Sequence, residues 1–475
     1  MPSERRPAER RSTALLLLTD LSAFAIAFAV SQFLRLPDFH DSLSQWWSVE
    51  GHFRARASLI ALALTLFSFA FSKQHYSQRK PFWDELRDIL GVLFVVMLID
   101  GALMFFNKWY FSRIAFGVDW VLIFTLVPGL RLLLKLRLLR SGRWQLPLRL
   151  VGSGNNAREA WLALKSERLM GYELAEVLMP PGGEQPGWTQ VEVRDWESGL
   201  KAMLAEPHYQ VMIALEPDQQ HAFDEVLRQV SKVCPHVVIV PPTRGLPLFG
   251  MEPLHAFSHE VLLLRARNNL LRPSARVLKR CFDVLVASLL LVLLAPLFAY
   301  LIFRVRQTGG PAFFGHQRIT LNGASFPCYK FRTMVPNSAE VLERLLREDP
   351  QARAEWEAEF KLRNDPRITR IGDFLRRTSL DELPQLWNVL RGEMSLVGPR
   401  PVIQDELAKY AEDVSYYLQV RPGMTGLWQV SGRNDVDYET RVALDAWYVR
   451  NWSLWNDIII LLKTVKVVTG REGAY

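Results

Sequence analysis

Cysteine is scarce in this chain: only Cys234, Cys281 and Cys328 occur among 475 residues. Three widely spaced cysteines exclude a disulfide-stabilised scaffold and fit a reducing compartment. Glycine and proline, 27 of each, are too few for a collagen-like chain. Because 49% of the residues are apolar, intrinsic disorder is excluded as well.

Positive charge is in modest excess, since 57 Lys and Arg residues face 49 Asp and Glu residues and the net charge is +8. The sequence contains no recognisable nucleic-acid-binding motif, so we expect no nucleic-acid partner and favour anionic lipid and a phosphorylated substrate. The mean hydropathy of +0.03 lies between the values of soluble and all-membrane proteins. Together with the length, it predicts membrane segments joined to two or three folded units.

Four apolar stretches near the N-terminus approach the ~20 residues that cross a bilayer as a helix. They cover residues 14–34, 57–72, 89–106 and 114–130. We therefore expect an N-terminal tail, residues 1–13, followed by an α-helical transmembrane unit of four helices, residues 14–140. Basic residues are most frequent in that tail, after the second stretch and after the fourth. This distribution predicts that both ends of the unit face the cytoplasm.

Three carboxylates, Asp20, Asp100 and Asp119, fall inside these stretches. Ionisable residues within a membrane can mark an ion path. No set of basic or polar partners accompanies them in the sequence. The preferred interpretation is therefore a carboxylate near a helix end that faces another helix.

A glycine-rich turn follows the membrane unit. Gly152, Gly154 and Ala157 match G-x-G-x-x-[GA] between a predicted strand and a predicted helix, which indicates a Rossmann-like α/β domain over residues 145–250. The acidic residue that would bind a ribose is missing, because the second strand runs into Met179–Gly183. We therefore prefer a packing or oligomerisation role, with a homodimer expected, over a working cofactor site.

A fifth apolar run, Cys281–Phe303, is long enough to span a membrane. Lys279 and Arg280 precede it and two arginines follow it, so both ends prefer the cytoplasm. Pro296 interrupts the run and should bend it. These features predict a re-entrant membrane helix over residues 279–306, and a fifth span with a proline kink is the alternative.

The densest polar motifs lie in the C-terminal part. Lys330 and Arg332 occupy alternating positions of a predicted strand and should face the same way. Residues 378–390 predict a helix that begins near Thr378 or Ser379 and ends at Gly392.

Asp381 and Glu382 would then lie at the positive end of that helix, where carboxylates and phosphate are favoured. Arg400 follows in the rigid loop Gly398–Pro401, and a second glycine-rich loop covers Arg421–Arg433. Basic residues, glycine turns and a carboxylate pair together suggest phosphoryl transfer with a divalent ion. Residues 251–275 are expected to be a linker, and residues 276–475 an α/β monotopic catalytic domain.

These motifs resemble the bacterial polyprenyl-phosphate hexose-1-phosphate transferases, also called monotopic phosphoglycosyl transferases. The residues that carry the resemblance are Lys279–Pro296, Lys330–Met334, Ser379–Leu386, Gly398–Pro401 and Arg421–Arg433. Further segments extend it to the members that transfer galactose-1-phosphate: Arg79–Trp83, the Gly152–Ala157 turn, Arg244–Leu248 and Gly432–Asp437.

The resemblance implies transfer of hexose-1-phosphate from a UDP-hexose to undecaprenyl phosphate, with UMP released and O-antigen or capsule synthesis primed. The reaction would occur at the cytoplasmic face of the bacterial inner membrane. Galactose is the expected sugar and glucose the alternative. A catalytically inactive membrane scaffold or nucleotide sensor is the alternative from a different class.

Residue roles follow from the same resemblance. Asp381 matches the nucleophile, Glu382 the carboxylate associated with Mg²⁺, and Arg400 a phosphate contact. Electrostatic support would come from Lys330, Arg332 and Arg376. Membrane anchoring and the helix break match Lys279, Arg280 and Pro296. One departure is Ala295, where the family commonly has serine before the proline. The resemblance therefore does not fix the depth or angle of the helix break in the membrane.

Overall fold

A computed structural model shows two compact units, residues 1–244 and residues 245–475. It describes residues 7–33, 51–106, 112–180, 182–205, 209–234, 237–242, 252–255, 262–265, 269–359, 362, 365–431 and 437–470. The Arg244–Leu248 motif and Arg433 lie outside these residues. The first unit contains the apolar helices and the glycine-rich turn, and the second contains the carboxylate pair.

Four long helices form the membrane part of the first unit: α1 (Pro7–Phe33), α2 (His52–Phe67), α3 (Phe82–Phe106) and α4 (Arg113–Arg140). A π-helical turn, Ser68–Ser72, continues α2. In the described part of the chain, these four are long and apolar enough to cross a membrane as single helices. The four predicted spans thus correspond to four candidate membrane helices, and the chain is a membrane protein.

The carboxylates of this bundle have basic partners, contrary to the expectation from sequence. Arg131 of α4 donates to Asp20 of α1 twice, from Nε to Oδ1 at 2.7 Å and from Nη2 to Oδ2 at 2.6 Å. Arg54 of α2 pairs with Asp100 of α3 at 3.1 Å and with Asp119 of α4. All five side chains are buried. The prediction missed these pairs because both arginines lie beside apolar stretches and look like interfacial charges.

The soluble part of the first unit is built on a five-stranded parallel sheet with strand order β3-β2-β1-β4-β5. The strands are β1 (Leu146–Val151), β2 (Tyr172–Leu178), β3 (Glu192–Arg194), β4 (Gln210–Ile213) and β5 (Val237–Ile239). The helices between them are α5 (Asn155–Ser166), α6 (Trp196–Ala205) and α7 (Gln220–Val233). Ala157 of α5 packs against Leu148 and Leu150 of β1, whereas Val226 and Val230 of α7 belong to the core on the other face.

Arg79, in the loop between α2 and α3, joins the bundle to this α/β domain. Its guanidinium donates to the carbonyl oxygens of Trp144, Met170 and Gly171 at 2.6, 2.9 and 3.2 Å. It also lies over the Trp144 ring, with 4.5 Å between the guanidinium carbon and the ring centroid. Gly171 has a φ of +68°, and a side chain there would overlap Trp144 and Arg79. One arginine therefore ties the start of the sheet to the membrane helices.

The second unit begins with an antiparallel hairpin, β6 (Glu252–His255) and β7 (Leu262–Arg265), inside the segment predicted to be a linker. Helices α8 (Pro273–Leu293) and α9 (Ala295–Arg306) precede a second hairpin, β8 (Phe313–Ile319) and β9 (Ser325–Phe331). Two strands, β10 (Ser395–Val397) and β11 (Gly423–Thr425), pair in parallel. The remaining helices are α10 (Ser338–Glu348), α11 (Pro350–Glu359), α12 (Arg370–Arg377), α13 (Gln385–Arg391), α14 (Val414–Leu418), α15 (Leu427–Val430), α16 (Tyr438–Arg450) and α17 (Leu454–Gly470).

Helices α8 and α9 are two halves of the fifth apolar run, and their axes differ by 65°. The break falls at Leu294, directly before Ala295. Pro296 lies in the first turn of α9, where a helix needs no N–H donor. The proline therefore begins a new helix instead of interrupting one.

One face of this bent pair packs on the unit. Ala287 of α8 contributes to a core that contains Val389 of α13. Leu301 and Val305 of α9 contribute to another core with Phe331. The opposite face exposes large apolar side chains: Leu285, Leu289, Val292, Leu293, Tyr300 and Phe303.

The Arg131–Asp20 pair generates a prediction about the bundle. We expect Arg131→Met to lower the free energy of unfolding by about 3–5 kcal/mol, because it leaves a buried carboxylate without its cation. Adding Asp20→Asn should recover part of that loss. Thermal unfolding of the detergent-solubilised chain would measure both effects, with exposed Arg137→Met on the same helix as the matched control. Additive losses from the two substitutions would contradict the pairing.

Candidate active site

The carboxylate pair lies in a tight turn instead of a helix. Leu380–Glu382 forms a single 3₁₀ turn, and helix α13 starts only at Gln385. Ser379 adopts a left-handed conformation with a φ of 55°, and its side chain caps no helix. Thr378 donates its hydroxyl back to Phe374. The predicted helix start at Thr378 or Ser379 is therefore wrong, whereas its end at Gly392, with a φ of +79°, is confirmed.

Lys330, on β9, lies between the two carboxylates. Its Nζ is 2.6 Å from Oε1 of Glu382 and 3.6 Å from Oδ2 of Asp381. The Asp381 side chain is 14% exposed, against 38% for Glu382. Asp381 is thus the more enclosed carboxylate of the pair, while Glu382 reaches toward solvent.

Burial and charge act in opposite directions on this cluster. Burial raises the pKa of Asp381 above its ordinary value, and the Glu382 charge adds to that effect against the opposing Lys330 and Arg376. Burial works to lower the pKa of Lys330, but the two carboxylates outweigh it and raise that pKa. The pair therefore favours the charged form of Lys330, whose charge in turn opposes the effect of burial on the Asp381 carboxylate.

Arg376, on helix α12, adds positive charge near the pair. Its Nε donates to Oγ1 of Thr333 at 3.0 Å, and its charge opposes the rise in the pKa of Asp381. Thr369 caps α12 by accepting the Gly372 amide at 3.0 Å. A side chain on Gly372 would overlap the Thr333 carbonyl, so glycine is what lets α12 approach the end of β9.

Asn388, a residue not selected from the sequence, holds β9 and α13 together. Its Oδ1 accepts the Tyr329 amide at 3.0 Å, and its Nδ2 donates to the Pro327 carbonyl at 2.8 Å. The side chain is fully buried. Asn388 therefore joins the strand that carries Lys330 to the helix that follows the carboxylate pair. In the sequence it looks like an ordinary polar residue within an apolar helix, which gives no signal of this role.

Arg332 does not share the partners of Lys330. Its buried guanidinium donates to the carbonyl of Pro311 at 2.8 Å, to that of Val305 at 3.2 Å, and to Gly309. These groups lie at and just after the C-terminal end of α9, where a cation satisfies carbonyls that the helix leaves free. The contacts give Arg332 backbone partners of its own, and its expected electrostatic role stays a prediction.

Lys279 and Arg280 are also bound inside the second unit. Lys279 pairs with buried Asp457 at 2.7 Å. Arg280 donates to the Val389 and Leu390 carbonyls, at 2.5 and 2.7 Å, and so caps the C-terminal end of α13. Their membrane-anchoring role stays a prediction, but both side chains have protein partners that hold α8 against α13 and α17.

Arg400 is exposed on the loop after β10, and buried side chains hold the backbone of that loop. Tyr448 donates to the Val397 carbonyl at 3.0 Å, and Tyr417 accepts the Val402 amide at 3.2 Å. The Arg400 amide favours the charged form of the buried Asp445 carboxyl group and so opposes the rise in its pKa. Prolines flank Arg400, so this amide is the only backbone N–H donor of the three residues. These buried contacts hold the backbone of the loop, and the exposed Arg400 guanidinium lies 5.8 Å from the Trp428 ring centroid.

Comparison with known proteins gives this cluster a family. Residues 274–471 match the family described as bacterial sugar transferase. The chain is also 50% identical over 407 residues to the undecaprenyl-phosphate galactose phosphotransferase of Salmonella typhimurium. The aligned residues make up 85% of this chain and 84% of that protein. The chain belongs to the bacterial sugar transferase family. The resemblance predicted from the motifs is thereby confirmed, and the protein is a transferase.

Two further relatives match different lengths of this chain. The UDP-galactose-lipid carrier transferase of Erwinia amylovora is 49% identical over 404 residues, 85% of this chain and 84% of the relative. The exopolysaccharide production protein ExoY of Rhizobium meliloti is 55% identical over 205 residues, which are 91% of its length but only 43% of this chain. More than half of this sugar transferase therefore has no counterpart in that relative.

The carboxylate pair also indicates how the Mg²⁺ ion expected from the sequence could be held. The described residues contain no group of three or more His, Cys, Asp or Glu side chains that could enclose a metal ion. Mg²⁺ is usually held by one or two carboxylates with waters and substrate phosphates. Asp381 and Glu382 fit an ion that binds together with a diphosphate, and do not form an all-protein cage.

Asp445 generates a prediction about pH. Burial raises its pKa from 3.8 to about 7, against the opposing effects of the Tyr410 hydrogen bond and of the Arg400 amide and charge. Between these values the folded protein holds a proton that the unfolded chain releases, so its stability falls as pH rises, by up to about 1.4 kcal/mol per pH unit. Asp445→Asn removes this titration. We expect the melting temperature of the variant to gain on that of the wild type between pH 5 and pH 8.

Thermal unfolding of the full chain at both pH values would measure this difference. Asp405→Asn, an exposed carboxylate in the same unit, is the matched control and should shift equally with the wild type. A constant difference between the Asp445→Asn variant and the wild type would show that the buried carboxyl does not titrate in this range.

Proposed function

We propose that this sugar transferase moves hexose-1-phosphate, with galactose as the sugar and glucose as the alternative, from a UDP-hexose to undecaprenyl phosphate. The observation that carries the proposal is the Asp381–Glu382 pair with Lys330 between its carboxylates. The names of the Salmonella and Erwinia relatives support a galactose donor and a lipid carrier. Such a product would prime O-antigen or capsule synthesis.

The reaction would proceed in two displacements at one phosphorus atom. A carboxylate oxygen of Asp381 attacks the sugar-bearing phosphorus of the UDP-hexose, the bond to the other phosphate breaks, and UMP leaves. A phosphate oxygen of undecaprenyl phosphate then attacks the same phosphorus. The aspartyl–phosphorus bond breaks, the carboxylate is restored, and the lipid diphosphate sugar is released.

The residues around Asp381 suit this chemistry. Lys330 and Arg376 place positive charge beside the nucleophile and would attract the diphosphate. Glu382 would hold Mg²⁺ together with the substrate phosphates, and the ion would neutralise phosphate charge there. Arg400, exposed on its braced loop, is available for a phosphate contact.

We further propose that α8 and α9 enter the cytoplasmic leaflet of the bacterial inner membrane and return. Arg280, near the start of α8, binds α13, and Arg332, next to β9, binds the end of α9. Asn388 joins α13 to β9. Because one compact unit holds both ends of the bent pair, a bilayer between those ends is disfavoured. The exposed apolar face of the pair then meets lipid.

Replacement of the nucleophile tests the chemistry. With UDP-galactose and no lipid acceptor, we expect the wild type to release about one UMP per protein and to gain a hexose phosphate on the peptide that contains Asp381. Asp381→Asn should abolish both. Mass spectrometry of the intact chain and its peptides measures the adduct, and a panel of UDP-hexoses identifies the sugar.

Exposed Asp405→Asn is the control and should behave as the wild type. If the Asp381→Asn variant released UMP at the normal rate, another residue would be the nucleophile. Release from no UDP-hexose, even with undecaprenyl phosphate and Mg²⁺, would favour the inactive scaffold or sensor.

Cysteine labelling tests the path of α8 and α9. Cys281 is exposed near the start of α8, whereas Cys234 and Cys328 are buried. We expect an impermeant maleimide to label neither Cys281 nor a Gln307→Cys variant in intact spheroplasts, and to label both after lysis. Asn107→Cys, in the predicted external loop, is the positive control. Labelling of the Gln307→Cys variant from outside would establish a fifth span instead.

A further inference from the structure

The glycine-rich turn after β1 has the backbone geometry of a phosphate-binding turn. Gly152 has a φ of +138°, and a side chain there would overlap the Ala214 carbonyl. Helix α5 starts at Asn155, so the free amides of its first turn point into the space above the turn. An anion is favoured there because the helix dipole places positive charge at this end.

That space already contains an anion from the chain itself. The Asn156 amide donates to Oε1 of Glu216 at 2.6 Å. A side chain at Gly154 would collide with the Glu216 carboxyl group, so the gap left by this glycine is filled by a carboxylate instead of a phosphate. Glu216 therefore occupies the position at which a pyrophosphate would meet the helix.

Several bonds hold Glu216 in this place. Its segment follows β4, and its own amide donates to Oε1 of Gln219 at 3.2 Å. The Asn156 side chain donates to the Leu215 and Val240 carbonyls at 3.0 and 3.1 Å. Asn156 thus binds the carboxylate through its backbone and the neighbouring segments through its side chain. The contact belongs to the framework of the domain.

The opposite side of the turn is covered as well. Trp188, from the segment after β2, donates its ring N–H to the Ser153 carbonyl at 2.9 Å. In a dinucleotide-binding domain, the acidic residue that binds the ribose comes from the end of that second strand. Here an indole lies against the turn instead.

We propose that Glu216 is the resident ligand of the glycine-rich turn, and that the α/β domain binds no dinucleotide there. The turn keeps its glycines because the Ala214 carbonyl and the Glu216 carboxylate approach the backbone closely. Because the Glu216 carboxylate already occupies the turn, the domain offers no open phosphate site there. Arg79 joins the domain to the membrane helices. Nucleotide binding is then left to the second unit.

Hydrogen–deuterium exchange on the full chain tests this proposal at the turn itself. In the wild type we expect neither 1 mM NAD⁺ nor 1 mM pyrophosphate, about a thousandfold above a micromolar affinity, to slow exchange in peptides from residues 152–164. Glu216→Ala should speed exchange there by about tenfold, because a charge-assisted hydrogen bond is lost. Pyrophosphate should then slow it again by occupying the vacated position.

Glu225→Ala, which removes an exposed carboxylate from α7 of the same domain, is the matched control and should leave the turn unchanged. Protection of the wild-type turn by NAD⁺ or pyrophosphate would overturn the proposal, and this arm stands even if the Glu216→Ala variant fails to fold. Unaltered exchange in a folded Glu216→Ala variant would overturn it too. The peptides report only on the turn, so pyrophosphate bound in the second unit does not confuse the result.

Discussion

Two adjacent carboxylates can both stay ionised in a half-buried site only if positive charge lies beside them, and this constraint organises the catalytic unit. Asp381 and Glu382 follow each other in a tight turn, and Lys330 supplies the cation from a strand about 50 residues earlier. The strand must therefore stay in register with the turn. Fully buried Asn388 ensures this, because it hydrogen bonds to β9 on both sides of Cys328. Removal of these bonds would leave buried backbone groups without partners.

The same need to compensate buried charge shapes the first unit. Arg131 and Arg54 cross between membrane helices to reach carboxylates, and a polar group in lipid would otherwise lack a partner. At the glycine-rich turn the signs are reversed, since a helix N-terminus is paired with the Glu216 carboxylate. In both places the compensating group comes from a distant segment of this chain.

Sequence patterns predicted the positions and ends of helices well where the signal lay in neighbouring residues. Apolar length indicated the four membrane helices, proline indicated the break beside Leu294, and Gly392 indicated the end of α13. These local signals failed where contacts with residues distant in the sequence decided the structure. Thr378 and Ser379 look like helix caps, yet Ser379 adopts a left-handed backbone conformation shortly before Asp381. Lys330 and Arg332 share a strand pattern, but one meets the carboxylates and the other closes the end of α9.

The sequence by itself determined which side chains could do chemistry: a carboxylate pair, basic residues near glycine and proline turns, and apolar runs of membrane length. Those properties depend on residue type and spacing along a few turns of chain. Only the tertiary structure decided which charges meet. It made Lys330 and Arg376 neighbours of Asp381, turned Arg332, Lys279 and Arg280 inward, and placed Glu216 in the glycine-rich turn. Ion pairs and hydrogen bonds form between atoms close in space, and the order of residues along a chain does not contain that distance.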